Sequence, residues 1–385
     1  MTARRKMNRA KGGSIVLAAG GTGGHVFPAQ ALAGELIRRG HRLTLVTDSR
    51  TRAYGGTLGE LDTHVVSAAS PAGRNPFKKA FALVRIGLGV MRAFRLLRHR
   101  APSLVVGFGG YPSVPTLLAA RLARVRAIVH EQNAVIGRAN RLLAPGTAAI
   151  ATSFPETRGL GAAAGRAVCT GNPVRSDIAD TAAATYQPPG PTGEVRLLVT
   201  GGSQGARTLG RTVPAALALL PDALRRRLLV NLQCREEDVT NARDILAHSG
   251  IAGEVAAFFN DMPTRLGAAH LVIARAGAST VAELAVAGRP ALLVPYPHAT
   301  DDHQSENARQ ISAAGGAEVI AETAVAPETL ATTLSELLRD DTRLIALADG
   351  ARRFSRPDAA EALANLAEAV ISDSLNASVT PARAA

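Results

Sequence analysis

Twice in this chain a short apolar, β-branched run ends in a cluster of glycines and then gives way to a helical pattern. The first instance spans Ser14 to Gly40. Ile15-Val16-Leu17 is followed by Gly20-Gly21-Thr22-Gly23-Gly24 and His25, then by Leu32, Leu36 and Ile37 on one helical face, with Gly40 placed to end it. The second spans Val195 to Leu220, about 180 residues later, with Gly201-Gly202-Ser203-Gln204-Gly205 at the turn. A strand, a glycine turn and a helix in that order suit a buried parallel sheet, and they aim free backbone N–H groups and the helix's positive end at an anion. Two such openings predict an α/β chain of two Rossmann-like, doubly wound domains facing one cleft. His25 adds a titratable group at the mouth of the first loop, where a chemical role outweighs a structural one. The openings do not match a dinucleotide fingerprint, because Val26 stands where its third glycine would fall, and no lysine follows the second turn as in a P-loop.

The length of 385 residues also suits two domains. The loop-like stretch from Thr181 to Glu194 and the dipeptide Asn172-Pro173 put the boundary close to Arg175. We expect a basic arm over 1–13, a first domain over 14–174, a second over 175–356, and a C-terminal segment over 357–385 with one helix at Ala359 to Ile371. The chain carries 44 basic against 31 acidic residues, a net charge of +13, which favours anionic partners. Aromatics make up 3% and no RNP-like or zinc-finger spacing occurs, so nucleic acid is not expected. Cys169 and Cys234 belong to no CxxC pair, which fits a reducing compartment. No apolar run reaches the roughly 18 residues of a membrane-spanning helix. The expected location is the cytoplasm, or a membrane approached from its cytoplasmic side.

Three further stretches carry chemistry. Ser103 to Pro115 reads as a buried strand, a glycine turn and a proline-marked helix start. A strand from Arg126 runs into His130-Glu131-Gln132-Asn133, polar groups that are costly to bury unless hydrogen-bonded. His130 and Glu131 are read as either bonding each other or meeting a ligand, and Asn133 as a ligand contact. The spacing is not HExxH and implies no zinc. In the second half, Gly277-Ala278-Ser279-Thr280 opens a helix carrying Glu283, whose carboxylate can accept from two vicinal hydroxyls or simply complement the helix dipole. Pro295 to Asn307 reads as a polar loop leading into a helix at the same sheet edge.

Residues 74 to 100 stand apart. Phe77, Phe81, Val84, Leu88 and Met91 recur at helical spacing, while Lys78, Lys79, Arg85, Arg92, Arg95, Arg98 and Arg100 carry positive charge with no acid between them. This is either an ordinary helix packing its apolar face inward or a surface that rests on anionic lipid.

Taken together, GGTGGHVFP (Gly20 to Pro28), GFGGYPSVP, HEQN, GNPVR, GGSQGA (Gly201 to Ala206), RAGASTVAEL (Arg275 to Leu284) and HQSENA (His303 to Ala308) closely resemble the MurG family of family 28 glycosyltransferases, in order over nearly 300 residues. The resemblance implies a GT-B fold and inverting transfer of N-acetylglucosamine from UDP-GlcNAc to the 4-hydroxyl of the muramyl sugar of lipid I, without a metal cofactor. It implies His25 as the catalytic base. For the donor it implies Thr22, Gly23, Gly24, Asn133, Arg175, Ser203 and Gln304, with Phe259 beside uracil, and Ala278, Ser279, Thr280 and Glu283 around the nucleoside. It makes Phe77, Lys78, Phe81, Val84, Arg85 and Leu88 the natural contact with an anionic membrane surface at the cytoplasmic face, and suggests other cell-wall synthesis proteins as partners. Some relatives carry paired glutamines where this chain has His303-Gln304, so only Gln304 is carried over. The competing readings are a UDP-GlcNAc 2-epimerase, another GT-B transferase using the same donor, and a non-catalytic nucleotide-sugar or anionic-lipid binding protein.

Overall fold

The computed structural model describes residues 13–48, 56–66, 76–202 and 206–372. Two parallel sheets organise it. The first has the order β3-β2-β1-β4-β5-β6-β7, formed by β1 (Ser14–Ala18), β2 (Arg42–Thr47), β3 (Asp62–Val65), β4 (Leu104–Gly107), β5 (Ala127–Glu131), β6 (Ala149–Thr152) and β7 (Ala167–Cys169). The second has the order β10-β9-β8-β11-β12-β13, formed by β8 (Val195–Thr200), β9 (Leu228–Gln233), β10 (Ala252–Ala256), β11 (Leu271–Ala274), β12 (Ala291–Leu293) and β13 (Glu318–Val319). Both glycine openings therefore follow a central strand, β1 or β8, at the point where the strand order reverses and the carboxyl ends open a crevice.

Alternation along β1 explains the first core. Ile15 and Leu17 face one layer, with Val26, Leu32 and Leu36 of the Gly23–Arg38 helix, while Val16 faces the other with Val105, Val129, Ala93 and Leu97. All of β1 beyond Ser14 is buried, as a sheet covered on both faces requires. The second domain has the same plan, with Leu197, Val199, Leu209, Val213 and Leu217 on one side of β8.

The chain passes between the domains twice. It first leaves β7 through Thr170 to Arg175, and Ile178 just beyond already packs with Val281 and Leu284 of the second domain. The helix Ala359–Ser372 then returns, burying Leu363, Ala364, Leu366, Ala367 and Val370 in the first-domain core beside Ile15 and Leu17. Each of its larger aliphatic side chains contributes about 1.5–3 kcal/mol of burial to a domain that is distant in sequence. Polar contacts pin it: Arg39 Nη1 donates to Glu368 at 2.7 Å and to Asn365 at 2.7 Å, and Arg126 Nη1 donates to the Val370 carbonyl. The two passages touch at Gly171, whose φ is +82° and where a Cβ would lie 2.6 Å from Cβ of Arg356 and 3.0 Å from Cβ of Ala359. Only glycine fits there. Residues 1–12, and with them all of the basic arm but Gly13, lie outside the described residues.

Candidate active site

A cleft of about 1080 Å³ separates the domains. It is lined by Thr22, Gly23, Gly24, His25 and Asn133 from the first domain, by Arg175 from the linker, and by Phe259, Ala278, Ser279, Thr280, Glu283 and Gln304 from the second. Of the expected donor-site residues only Ser203 is missing from this set, and it lies outside the described residues.

The local geometry follows from where the glycines stand. Thr22 is the N-cap of the Gly23–Arg38 helix, with extended backbone and no side-chain cap bond, so the first-turn N–H groups face the cleft. Gly277 plays the same part for the Ala278–Ala287 helix, which Gly288 ends at φ +60°. The two helix openings face each other across the domain interface: a Cβ on Gly24 would lie 4.0 Å from Ser279 Oγ. Two positive helix ends, one from each domain, thus converge on one small volume.

His25 is the first titratable group in that volume. Its Nδ1 is 3.1 Å from Gln132 Oε1. Gln132 Nε2 in turn donates to the carbonyl of Phe108 at 2.9 Å and lies 2.9 Å from His130 Nδ1, while His130 Nε2 lies 3.2 Å from the carbonyl of Gly171. Gly109 and Gly110, with φ of +83° and +71°, form the wall behind the imidazole; a Cβ on either would come within 3.3 Å of the His25 ring. Burial lowers the His25 pKa below its usual 6.5, against the opposing pull of the Gln132 hydrogen bond and of Glu131. The ring is therefore neutral near pH 7, as a proton acceptor must be. His130 is fully buried and desolvation takes it down to about 4.

The polar run after β5 divides its labour by alternation. His130 and Gln132 point to one side, toward Phe108 and His25. Glu131 points to the other, where its carboxylate accepts from the backbone N–H of Asn133 (2.9 Å) and Gly137 (2.9 Å) and from Asn140 Nδ2 (2.8 Å). The expected alternative in which His130 and Glu131 bond each other is thus corrected, since strand pleating sends neighbouring side chains apart. Glu131 shapes a loop, and Gln132 is the partner of His25, which sequence reading did not identify. The period-two pairing of His130 with Gln132 was the available signal.

Asn133 also joins the two domains. Its Oδ1 accepts from Asn307 Nδ2 at 3.1 Å, while Asn307 also donates to the Ala276 carbonyl (3.0 Å) and accepts from the Ala134 N–H (2.8 Å). The fully buried Asn307 amide thus ties the loop after β5 to the loop after β11. The exposed pairs Arg138–Asp301 and Arg309–Glu156 span the same seam, but solvated pairs of this kind contribute little.

On the second-domain wall, Glu283 is pushed up to about 7 by desolvation, opposed by nearby Arg175. The Arg175 guanidinium stacks 4.9 Å from the Phe27 ring centroid, and its Nε is buried without a hydrogen-bond partner, as is Ser279 Oγ. Gln304 Oε1 accepts from the Tyr296 N–H, which leaves its Nε2 for the cleft. The helix begins at His303, earlier than the polar composition of the preceding loop suggested. Phe259 is 4% exposed beneath the Arg265 guanidinium, 4.0 Å from its ring centroid; its neighbour Phe258, not singled out from sequence, is 69% exposed on the cleft rim. Arg275 does not reach into open space, because Glu322 (2.8 Å) and the carbonyls of Val294 and Pro295 hold it. Among the described residues no His/Cys/Asp/Glu cluster suits a metal ion.

The Pro76–Arg100 helix packs through Ala82, Ala93 and Leu97 and turns Phe81 (64% exposed), Val84, Leu88 and Met91 outward. Arg85 lies over the Phe81 ring, 5.9 Å from its centroid. The side chains of Phe77 and Lys78 lie outside the described residues. Inward packing of this apolar stripe is thereby corrected: Ala82, Ala93 and Leu97, with Val90, Phe94 and Leu96 beside them, take the buried side, and Phe81, Val84, Leu88 and Met91 do not. No helix among the described residues is long and apolar enough to cross a membrane.

Comparison with known proteins agrees with this fold. The glycosyltransferase family 28 N-terminal domain matches residues 15–152 and the family 28 C-terminal domain matches residues 196–363. A Rhodospirillum rubrum protein described as UDP-N-acetylglucosamine--N-acetylmuramyl-(pentapeptide) pyrophosphoryl-undecaprenol N-acetylglucosamine transferase is 52% identical over 356 residues, covering 92% of this chain and 91% of its own. A Brucella abortus protein of the same description is 49% identical over 366 residues, covering 95% of this chain and 96% of its own. Among solved structures, Acinetobacter baumannii MurG superposes with a TM-score of 0.74 at 28% identity, over 92% of this chain and 99% of that one. With both domain models matched in order and close relatives aligned along nearly its whole length, the chain belongs to glycosyltransferase family 28.

Proposed function

We propose that the cleft transfers N-acetylglucosamine from UDP-GlcNAc to the 4-hydroxyl of the muramyl sugar in undecaprenyl-pyrophosphoryl-MurNAc-pentapeptide, converting lipid I to lipid II with inversion at the anomeric carbon. The observation that carries this reading is the convergence of a neutral, relay-held His25 with two opposed helix N-termini in one cleft. His25 Nε2 takes the proton of the acceptor hydroxyl as its oxygen attacks the anomeric carbon. The bond from that carbon to the β-phosphate oxygen breaks on the opposite face, and its electron pair leaves with UDP. The helix ends at Gly23 and Ala278, with Arg175, supply positive potential where the leaving pyrophosphate gathers charge. The base contributes about 10²–10⁴-fold to such a step. Glu283 accepts from the ribose hydroxyls, Ala278 to Thr280 hold the nucleoside, and Phe259 lies beside uracil.

The reaction as proposed needs no metal. The lipid acceptor fits a chain that works at the cytoplasmic face of a membrane, with Phe81, Val84 and Leu88 entering the interface and Arg85 at the headgroups. Other cell-wall synthesis proteins are natural neighbours at that surface. The test is transfer from radiolabelled UDP-GlcNAc to a lipid I analogue, with EDTA present and with acceptor omitted. Acceptor-dependent, EDTA-resistant product is expected. Donor turnover without acceptor would support an epimerase instead, and donor binding without turnover on either arm would support a binding protein.

A further inference from the structure

We propose that Gln132 is a positioning residue that fixes the tautomer of His25, and that His130 in turn fixes Gln132. This rests on the reading of His25 as the base. The assignment follows from donors and acceptors alone. Gln132 Nε2 lies 2.9 Å from the Phe108 carbonyl and 3.1 Å from the His130 carbonyl, and carbonyl oxygens only accept. The amide nitrogen must face them, so the amide oxygen must face His25. An amide oxygen also only accepts, so the proton of the neutral imidazole sits on Nδ1, 3.1 Å away. Nε2 is left as a lone pair. The same logic holds one step back: His130 Nε2 must donate to the Gly171 carbonyl, which makes His130 Nδ1 the acceptor for Gln132 Nε2 at 2.9 Å. A flip of the Gln132 amide would set its oxygen against the Phe108 and His130 carbonyls, acceptor against acceptor.

The relay differs in kind from a histidine–carboxylate pair. An amide orients the ring without adding negative charge, so the imidazole stays weakly basic and gives up its acquired proton readily after the transfer. The charged or titratable neighbours are few. Glu131 favours the protonated ring, while His303 from the second domain opposes it. The Gly109–Gly110 wall carries no charge, and the facing Ala278–Ala287 helix brings Glu283 one turn in from its end.

The experiment uses the full chain labelled with ¹⁵N-histidine, with two-bond ¹H–¹⁵N correlation spectra recorded above the His25 titration and the His25 signals assigned by their loss in His25→Gln. In the wild-type chain His25 is expected to show a pyridine-type Nε2 and a protonated Nδ1. In Gln132→Leu, which removes the acceptor at similar volume, the Nε2–H form should take over, with kcat falling about 10–100-fold and the donor KM within twofold. A purely structural role for Gln132 would leave the tautomer unmoved. A wild-type His25 carrying its proton on Nε2, or an unchanged tautomer and kcat in Gln132→Leu, overturns the proposal; the wild-type spectrum decides even if the variant does not fold. The base reading fails separately: if His25→Ala retains turnover, His25 is not the base, whatever its tautomer.

Discussion

On the first-domain wall of the cleft, His25 is held from behind by Gln132 and His130, and each link of that chain has its partner down to the Gly171 carbonyl. On the other wall, Ser279 Oγ and the linker's Arg175 Nε are buried without one, and Glu283 carries a carboxyl that its surroundings push up to about 7. The two walls meet different requirements. A proton acceptor must have one orientation before substrate arrives, so its hydrogen bonds are internal and complete. A donor site gains affinity from groups that stay under-bonded until a ligand satisfies them, and it bears the desolvation cost meanwhile. On the proposed reading, the proton acceptor stands on the first-domain wall, and the under-bonded groups that would hold the nucleoside stand on the second.

The largest test of this division is His25→Ala. Turnover should fall about 10²–10⁴-fold while calorimetric donor affinity stays within twofold; a matching loss of affinity would mean the first wall also recognises the donor. Next is Glu283→Gln, with donor affinity about 10–100-fold weaker, since a charged acceptor of two hydroxyls is lost. The same variant should be more stable above neutral pH. A carboxyl whose folded pKa is raised binds its proton more tightly folded than unfolded, so it lowers stability progressively as pH climbs from about 4.5 through 7. Removing it should raise Tm by about 2–4 °C at pH 8 and leave it unchanged at pH 4. For the same reason wild-type donor binding should tighten as pH rises through about 7, and the variant should lose that dependence.

A smaller effect is expected from Ser279→Ala: about 3–10-fold in donor KM with kcat preserved, as for one neutral hydrogen bond. A kcat effect instead would place Ser279 with the reacting atoms. The smallest expected effect on either wall comes from Val84→Glu combined with Leu88→Glu. Transfer to a short-chain soluble acceptor should stay within twofold, while sedimentation with anionic vesicles drops about tenfold or more. Loss of transfer to the soluble acceptor would show that this helix supports the cleft itself.

Much of this was legible in the chain before any fold was considered. The glycine openings marked both central strands, because a buried parallel strand must be apolar throughout and the turn after it must admit backbone that only glycine adopts freely. The Glu283 helix was legible for the same reason. The relay was harder to see. Its links are 107 residues apart between His25 and Gln132, and 41 between His130 and Gly171, and nothing local in the sequence encodes which strands become neighbours. The outward turn of Phe81 and Leu88 was equally hidden. Helical spacing reports that a helix has an apolar stripe, and says nothing of which side the sheet takes when Ala82, Ala93 and Leu97 form a narrower stripe of their own.

The contact at Gly171 has a mechanical consequence. Two chain passages that touch at one point resemble a door whose hinges share a pin: were one domain to swing against the other about Gly171, atoms beside that contact would travel least. His130 rests on the carbonyl of the residue at the pin. The relay behind His25 is thereby rooted at that contact. A substrate could be admitted or released by such a swing without the imidazole losing its aim.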